Sequence, residues 1–215
     1  MPRSKTSNAW LREHVNDPWV QKAKAEGYRS RAAFKLKQID AKDRLFKPGL
    51  TVVDLGATPG GWSQVAAKIV GPSGRVVAVD LLQMEPLAGV VFVRGDFFEE
   101  STVAALQAAL AGRRADIVLS DMAPNWSGVS VADQARSVGL AELALEAAQR
   151  LLAPGGSFLV KVFHGAGFEA FVKLLREHFT QVVVRKPEAS RDRSAETYLL
   201  ARGFKRRAGN ESGVE

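Results

Sequence analysis

The run Thr51-Val52-Val53-Asp54-Leu55-Gly56-Ala57-Thr58-Pro59-Gly60-Gly61-Trp62 decides the fold. Five residues rich in β-branched side chains pass through a Gly/Pro loop into a helical pattern that continues to Val70. Such a passage predicts a buried strand, a tight loop and a helix within about twenty residues, the opening of a βα unit. Glycines at the carboxyl end of a parallel strand let the backbone turn sharply and approach a ligand. The spacing is neither G-x-G-x-x-G nor a Walker loop, since no Gly-Lys-Ser/Thr follows. Asp54 beside the loop would also repel a pyrophosphate.

Outward from this loop the pattern repeats. Strand-like runs fall at 51–55, 75–79, 90–93, 116–120, 157–162, 181–185 and 197–201, with helical stretches at 62–70, 101–111, 131–152 and 168–178. This alternation predicts an α/β fold whose parallel sheet has helices on both faces. The last two strands are joined by a loop with no room for a helix, which places an antiparallel pair at one edge. Upstream, Asp17-Pro18 reads as a helix start and Ser30 as the cap of a second helix of about twelve residues, with Arg31 and Lys35 together on its polar side. Lys47-Pro48-Gly49 separates a basic helical extension (1–49) from the core domain (50–207), and 208–215 reads as a frayed tail.

Of 215 residues, 46% are hydrophobic, enough for a buried core, and none is cysteine. The composition therefore excludes disulfides, thiolate metal sites and cysteine nucleophiles. His14, His164 and His178 are too scattered for a zinc set, so no metal is expected. No stretch has the length and apolarity of a spanning helix and no secretory leader is visible, so the chain reads as soluble and cytoplasmic, with no membrane partner. Charge is segregated along the chain. Residues 1–49 carry twelve Lys/Arg against five Asp/Glu, 50–184 ten against thirteen, and 185–207 eight against three. Two basic segments that could meet around an acidic centre are the footprint expected for a polyanion, with nucleic acid the better candidate.

Three acids follow the first three strands. Asp54 precedes the glycine loop, Asp80 closes the second strand where ribose hydroxyls are usually held, and Asp96 follows the third, within reach of an adenine amino group. Any one alone reads as a turn or cap residue. Together with the glycine loop they suit a nucleoside ligand carrying positive charge, as S-adenosylmethionine does. Ser120-Asp121-Met122-Ala123-Pro124-Asn125 ends strand four and lacks the Asn/Asp-Pro-Pro-aromatic run of exocyclic amine methylases. The absence of cysteine removes pyrimidine C5 chemistry. An acceptor whose proton must be removed, such as a hydroxyl, remains. Lys161 stands alone in the apolar strand Phe158-Leu159-Val160-Lys161-Val162-Phe163, where desolvation and a second nearby cation would both depress its pKa and make it a usable base.

Tyr28–Leu36, Asp54–Trp62, Ser120–Asn125, Val160–Phe163 and Ser190–Tyr198 resemble, in order and spacing, the FtsJ/RrmJ (RlmE) family of ribosomal RNA 2′-O-methyltransferases, over roughly residues 10–205. The resemblance implies a Rossmann-like class I methyltransferase fold with a mostly parallel seven-stranded sheet and one antiparallel edge strand. It also implies a catalytic tetrad Lys35, Asp121, Lys161 and Glu196, and S-adenosylmethionine contacts at Gly60, Trp62, Asp80, Asp96 and Asp121. Gly56 and Asp54 join that set from the loop reading. The family's target is a uridine in the A-loop of 23S rRNA within the 50S subunit. Phosphate contacts are expected at Arg29, Arg31, Arg191, Arg193, Lys205, Arg206 and Arg207, and the protein is expected to be a monomer. Thr58, where alanine is common, and Ala195 are the departures noticed. Alternatives are an enzyme acting on tRNA or an mRNA cap, a non-catalytic RNA-binding assembly factor, and, more distantly, a small-molecule O-methyltransferase.

Overall fold

A computed structural model describes residues 17–124, 130–191 and 194–205. Its elements are α1 (Pro18–Ala25), α2 (Ala32–Asp43), β1 (Thr51–Leu55), α3 (Gly61–Val70), β2 (Arg75–Asp80), β3 (Val90–Arg94) and α4 (Glu100–Leu110). They continue as β4 (Ala115–Ser120), α5 (Ser130–Leu151), β5 (Leu152–Phe163), α6 (Phe168–His178), β6 (Phe179–Arg185) and β7 (Glu196–Phe204).

The seven strands lie in the order β3-β2-β1-β4-β5-β7-β6. β1 is buried along its whole length, which explains its unbroken apolar reading apart from Asp54. β1 through β5 are mutually parallel, and β7 is antiparallel to both β5 and β6. The antiparallel strand expected at the edge is thus one place in from it. The short 185–196 connection sends β7 back between β5 and β6, leaving β6 outermost.

Strand alternation divides the core into two layers. Val53, Leu55, Val77 and Phe158 pack with Leu106 of α4, Ala144 of α5 and Phe171 of α6 on one face. Val52, Ile117, Leu119, Leu159, Tyr198 and Leu200 pack with Leu36 and Ile39 of α2 and Trp62 and Val65 of α3 on the other. The second helix of the N-terminal segment is therefore part of the domain core. α1 reaches the body through Ala23, which packs with Phe34 and Ala189.

Two details of α1 and α2 differ from each other in kind. Asp17 caps α1, its carboxylate accepting from Trp19 N at 2.9 Å. α2 instead starts from Arg31 in the right-handed helical region with no side-chain cap, so Ser30 is not its cap. The Ser30 hydroxyl packs against Gly61, at a point where a Cβ on residue 61 would collide with it. This close approach of the α2 entry to the start of α3 takes precedence over capping.

Candidate active site

The strand order reverses direction between β1 and β4, and ligands of open α/β sheets bind outside the carboxyl ends of strands at such a switch. A cleft of about 370 Å³ lies there, lined among others by Gly56, Thr58, Asp80, Asp96, Phe97 and Asp121. Gly56 has φ +69°, and a side chain there would strike Met122. Only glycine lets the β1 and β4 loops approach this closely. Asp80 accepts hydrogen bonds from Thr58 N and Leu82 N, each 2.8 Å, and Asp96 accepts from Phe98 N at 3.0 Å.

Among the described residues that line the cleft there are three aspartates and no lysine or arginine. That donor set fits a cationic nucleoside with hydroxyls and an amino group, and it opposes a phosphate.

Two expected cofactor residues lie behind this wall instead of in it. The Trp62 ring is buried against Tyr198, with centroids 5.7 Å apart, and its Nε1 donates to Ala32 O at 2.8 Å. The ring anchors α3 to α2 and is not among the side chains that line the cleft. Asp54 is 1% exposed and accepts from the Ser63 hydroxyl at 2.6 Å. Burial pushes its carboxyl up to about 7, the nearby Asp121 and Asp80 adding to the rise and Ser63 opposing it. Gly60 has φ +104° and packs against Leu87 and Met84 at the rim.

Asp121 connects the cleft to a second cluster. Lys161 Nζ lies 3.1 Å from Asp121 Oδ1 and also donates to the Asp121 carbonyl. Lys35 Nζ lies 2.6 Å from Glu196 Oε1, which accepts in addition from the Ser190 hydroxyl at 2.8 Å. Lys35, Lys161 and Glu196 are all buried. Burial pushes Glu196 upward, yet the charges of Lys35 and Lys161 and the hydrogen bonds from Lys35 and Ser190 outweigh it, and the group ends below its ordinary value.

The four come together because of register. Lys161 sits directly across from Tyr198, and Phe163 from Glu196, so these side chains share the sheet face covered by α2. α2 then brings Lys35 down onto that face.

Tyr198 is a member that sequence reasoning quoted without assigning. Its hydroxyl donates to Asp121 Oδ1 at 2.8 Å, and its ring lies 5.8 Å from Lys35 Nζ. Burial, reinforced by Asp121 and Glu196, raises this phenol well above its usual value and keeps it a donor. Its position two residues after Glu196, on the same face, was the available signal.

The described residues expected to contact phosphate already have partners within the protein. The two basic segments do meet, but largely through ion pairs within the protein. Arg31 bonds Asp17 and the Ala189 carbonyl, Arg191 Nε lies 3.8 Å from Asp17, and Arg185 holds Asp43 at 2.6 and 2.7 Å. Arg29 gives its guanidinium to the carbonyls of Pro59, Glu85 and Pro86. Lys205 lies at the opposite end of the sheet, because β7 runs from Glu196 at the cleft end to Phe204 across from Phe179, the first residue of β6. Its ammonium donates to Arg176 O at 3.1 Å. Arg193, Arg206, Arg207 and Asn125 lie outside the described residues, as do 1–16 and 208–215. Among the described residues no cluster of His, Asp or Glu is arranged to hold a metal, and no helix is long and apolar enough to cross a membrane.

A switch-point cleft walled by carboxylates on a mostly parallel seven-stranded sheet defines a Rossmann-like methyltransferase. The FtsJ-like methyltransferase family model matches residues 28–204. The chain belongs to that family. It is 60% identical over 205 residues to the ribosomal RNA large subunit methyltransferase E of Marinobacter nauticus, covering 95% of this chain and 99% of the relative. The protein of the same name from an Azoarcus species is 61% identical over 200 residues, with 93% and 98% covered. The crystal structure of a ribosomal RNA methyltransferase from Plasmodium falciparum superposes with a TM-score of 0.74 at 28% identity, covering 82% of this chain and 98% of that one.

Proposed function

We propose that the protein transfers a methyl group from S-adenosylmethionine to the 2′-hydroxyl of a uridine ribose in the A-loop of 23S rRNA, presented within the 50S subunit. It acts as a cytoplasmic monomer on this reading. The observation that carries the proposal is the buried pair of lysine–carboxylate contacts, Lys161–Asp121 and Lys35–Glu196, abutting a cleft walled by carboxylates.

When bound, S-adenosylmethionine supplies a methyl group activated on a sulfonium. Asp80 would hold its ribose hydroxyls, Asp96 its adenine amino group, and Asp121 its positive end, with Gly56 and Gly60 giving the backbone room. Asp54, beneath the loop, braces it through Ser63 without reaching the cleft wall.

Lys161, after giving up its own ammonium proton to solvent, is the group that takes the proton from the 2′-hydroxyl, at Nζ. Asp121 fixes that nitrogen through its carboxylate and its carbonyl, while Tyr198 holds the same carboxylate from behind. Glu196 and Ser190 hold Lys35 beside the pair, where its ammonium orients the hydroxyl oxygen. Positioning supplies much of the rate, because the sulfonium is already a good leaving group. RNA approaches where α1, α2 and residues 186–191 converge. Arg191, 31% exposed against 15% for Arg31, is the better placed of the two for a phosphate.

The test is mass mapping of methylated rRNA fragments after incubation of 50S particles, bare rRNA and tRNA with the protein and cofactor. One 2′-O-methyluridine in the A-loop of 50S particles is expected. Modification of tRNA alone, or cofactor binding with no methylation of any RNA, overturns the assignment.

A further inference from the structure

Two loops form the rim of the cofactor cleft. One, residues 56–60, contributes Gly56 and Thr58 to the lining, and the other, following Asp80, contributes Leu81. The second loop carries the strongly exposed Leu81 and Leu82, 64% and 65%, and has one deep anchor, Met84. Met84 packs with Ala57 and Ala78, and its sulfur would sit 2.8 Å from a Cβ on Gly60. A loop held by Met84, with only the partly buried Leu87 packed beside it, opens readily unless polar contacts close it.

Beyond the Asp80 carboxylate, which accepts from both Thr58 N and Leu82 N, and Arg94 Nε, which donates to Leu81 O at 3.3 Å, two side chains tie the loops together. Arg29 Nη1 donates to Pro59 O at 3.2 Å and to Glu85 O at 2.7 Å, and Nη2 to Pro86 O at 2.7 Å, so one guanidinium spans both loops. Its own backbone is fixed by Gln64 of α3, whose Oε1 accepts from Arg29 N at 2.8 Å. Thr58 Oγ1 donates to Leu82 O at 3.2 Å and makes a second tie between the same loops. A planar fork with several donors suits three converging carbonyls, which a lysine ammonium could not span.

We propose that Arg29 is a positioning residue for the cofactor cleft, latching the glycine loop to the 81–87 loop, rather than a phosphate contact for RNA. The latch rests on the reading that this cleft binds S-adenosylmethionine. With it in place, Asp80 is held between Thr58 N and Leu82 N, facing the site before the ligand arrives.

The experiment is calorimetric titration of S-adenosylmethionine into the full-length protein, its Arg29→Ala and Arg29→Lys variants, and Thr58→Val. It is paired with the salt dependence of binding to an A-loop RNA. Arg29→Ala is expected to weaken cofactor binding at least ~10-fold, Arg29→Lys to restore little of it, and Thr58→Val to weaken it about threefold. The slope of RNA affinity against salt should be the same for wild type and Arg29→Ala. Amide exchange at 81–87 should quicken in Arg29→Ala while the rest of the chain keeps its protection, which separates a local latch from general loss of structure.

Equal cofactor affinity in wild type and Arg29→Ala overturns the latch alone. A salt slope shallower by about 0.7 to 0.9, the signature of one lost phosphate contact, overturns it too. If Arg29→Ala does not fold, unchanged affinity in Thr58→Val decides against the latch, and weakened affinity decides for it. Wild-type protein that binds no cofactor removes the function reading, and the latch with it.

Discussion

The two sides of Asp121 are built on opposite electrostatic plans. Toward the cleft its neighbours are Asp80 and Asp96, with no cation among the described residues of the wall. Toward the sheet face under α2 its neighbours are Lys161 and the hydroxyl of Tyr198, with Lys35 and Glu196 paired alongside. The cleft thus holds unbalanced negative charge, which a positively charged ligand relieves. The cluster beside it is balanced, two cations against two anions, and holds its groups in place without a ligand. The difference teaches that one side is prepared to bind and the other to handle a proton, with one carboxylate serving both.

Removing the proton acceptor should separate the two sides most sharply. Lys161→Ala is expected to keep cofactor affinity while losing at least ~100-fold in methyl transfer, measured in single turnover. Near wild-type transfer would remove Lys161 as the base. Asp54 probes the unbalanced side. Its carboxyl stays protonated in the folded protein up to about pH 7, whereas in the unfolded chain it ionises near 3.8. The folded state therefore binds the extra proton between those values, and stability falls as pH rises through that window. Asp54→Asn, neutral at every pH and still able to accept from Ser63, should gain nothing at pH 4 and about 5 °C in Tm at pH 8. A gain that does not change with pH would show that the Asp54 carboxyl does not titrate there.

Tyr198→Phe removes one donor from Asp121 and leaves both lysines. Transfer should fall about 3- to 10-fold with cofactor affinity retained, and a loss beyond 100-fold would place the phenol in the chemistry itself. The smallest effect belongs to Lys205→Ala, at the far end of β7, where RNA affinity and its salt slope should stay within about twofold of wild type. A flattened slope would extend the RNA surface to that end of the sheet.

Most of the fold was legible because the strands carry β-branched runs and the helices clear amphipathic stripes. The expected limits of β1 coincide with the observed strand, and α6 was expected at its full length. β5 runs longer than its apolar core suggested, since Leu152 pairs with Ala115 through an irregularity that the Pro154-Gly155-Gly156 sequence disguises as a turn. At the site, the tetrad was named by motif, and its register could have been deduced from period-two alternation. The partners of the described arginines were not legible for a different reason. Sequence shows a cation but not its partner, and the partners here are Asp17, Ala189 and the carbonyls of Pro59, Glu85 and Pro86, supplied by folding. Trp62 was similarly placed by motif, while its ring obeys the packing of α2 against α3.

Lys35 and Glu196 stand near opposite ends of the chain, and β7, the last strand, lies between β5 and β6. During synthesis the N-terminal helices emerge long before the segment that neutralises their buried lysine. Until β7 threads into its slot, Lys35 lacks its counter-ion and the Asp121 carboxylate lacks the Tyr198 hydroxyl. A nascent polypeptide released before residue 196 would hold β1 through β6 but lack both Glu196 and Tyr198, and so would have most of the sheet and no competent catalyst.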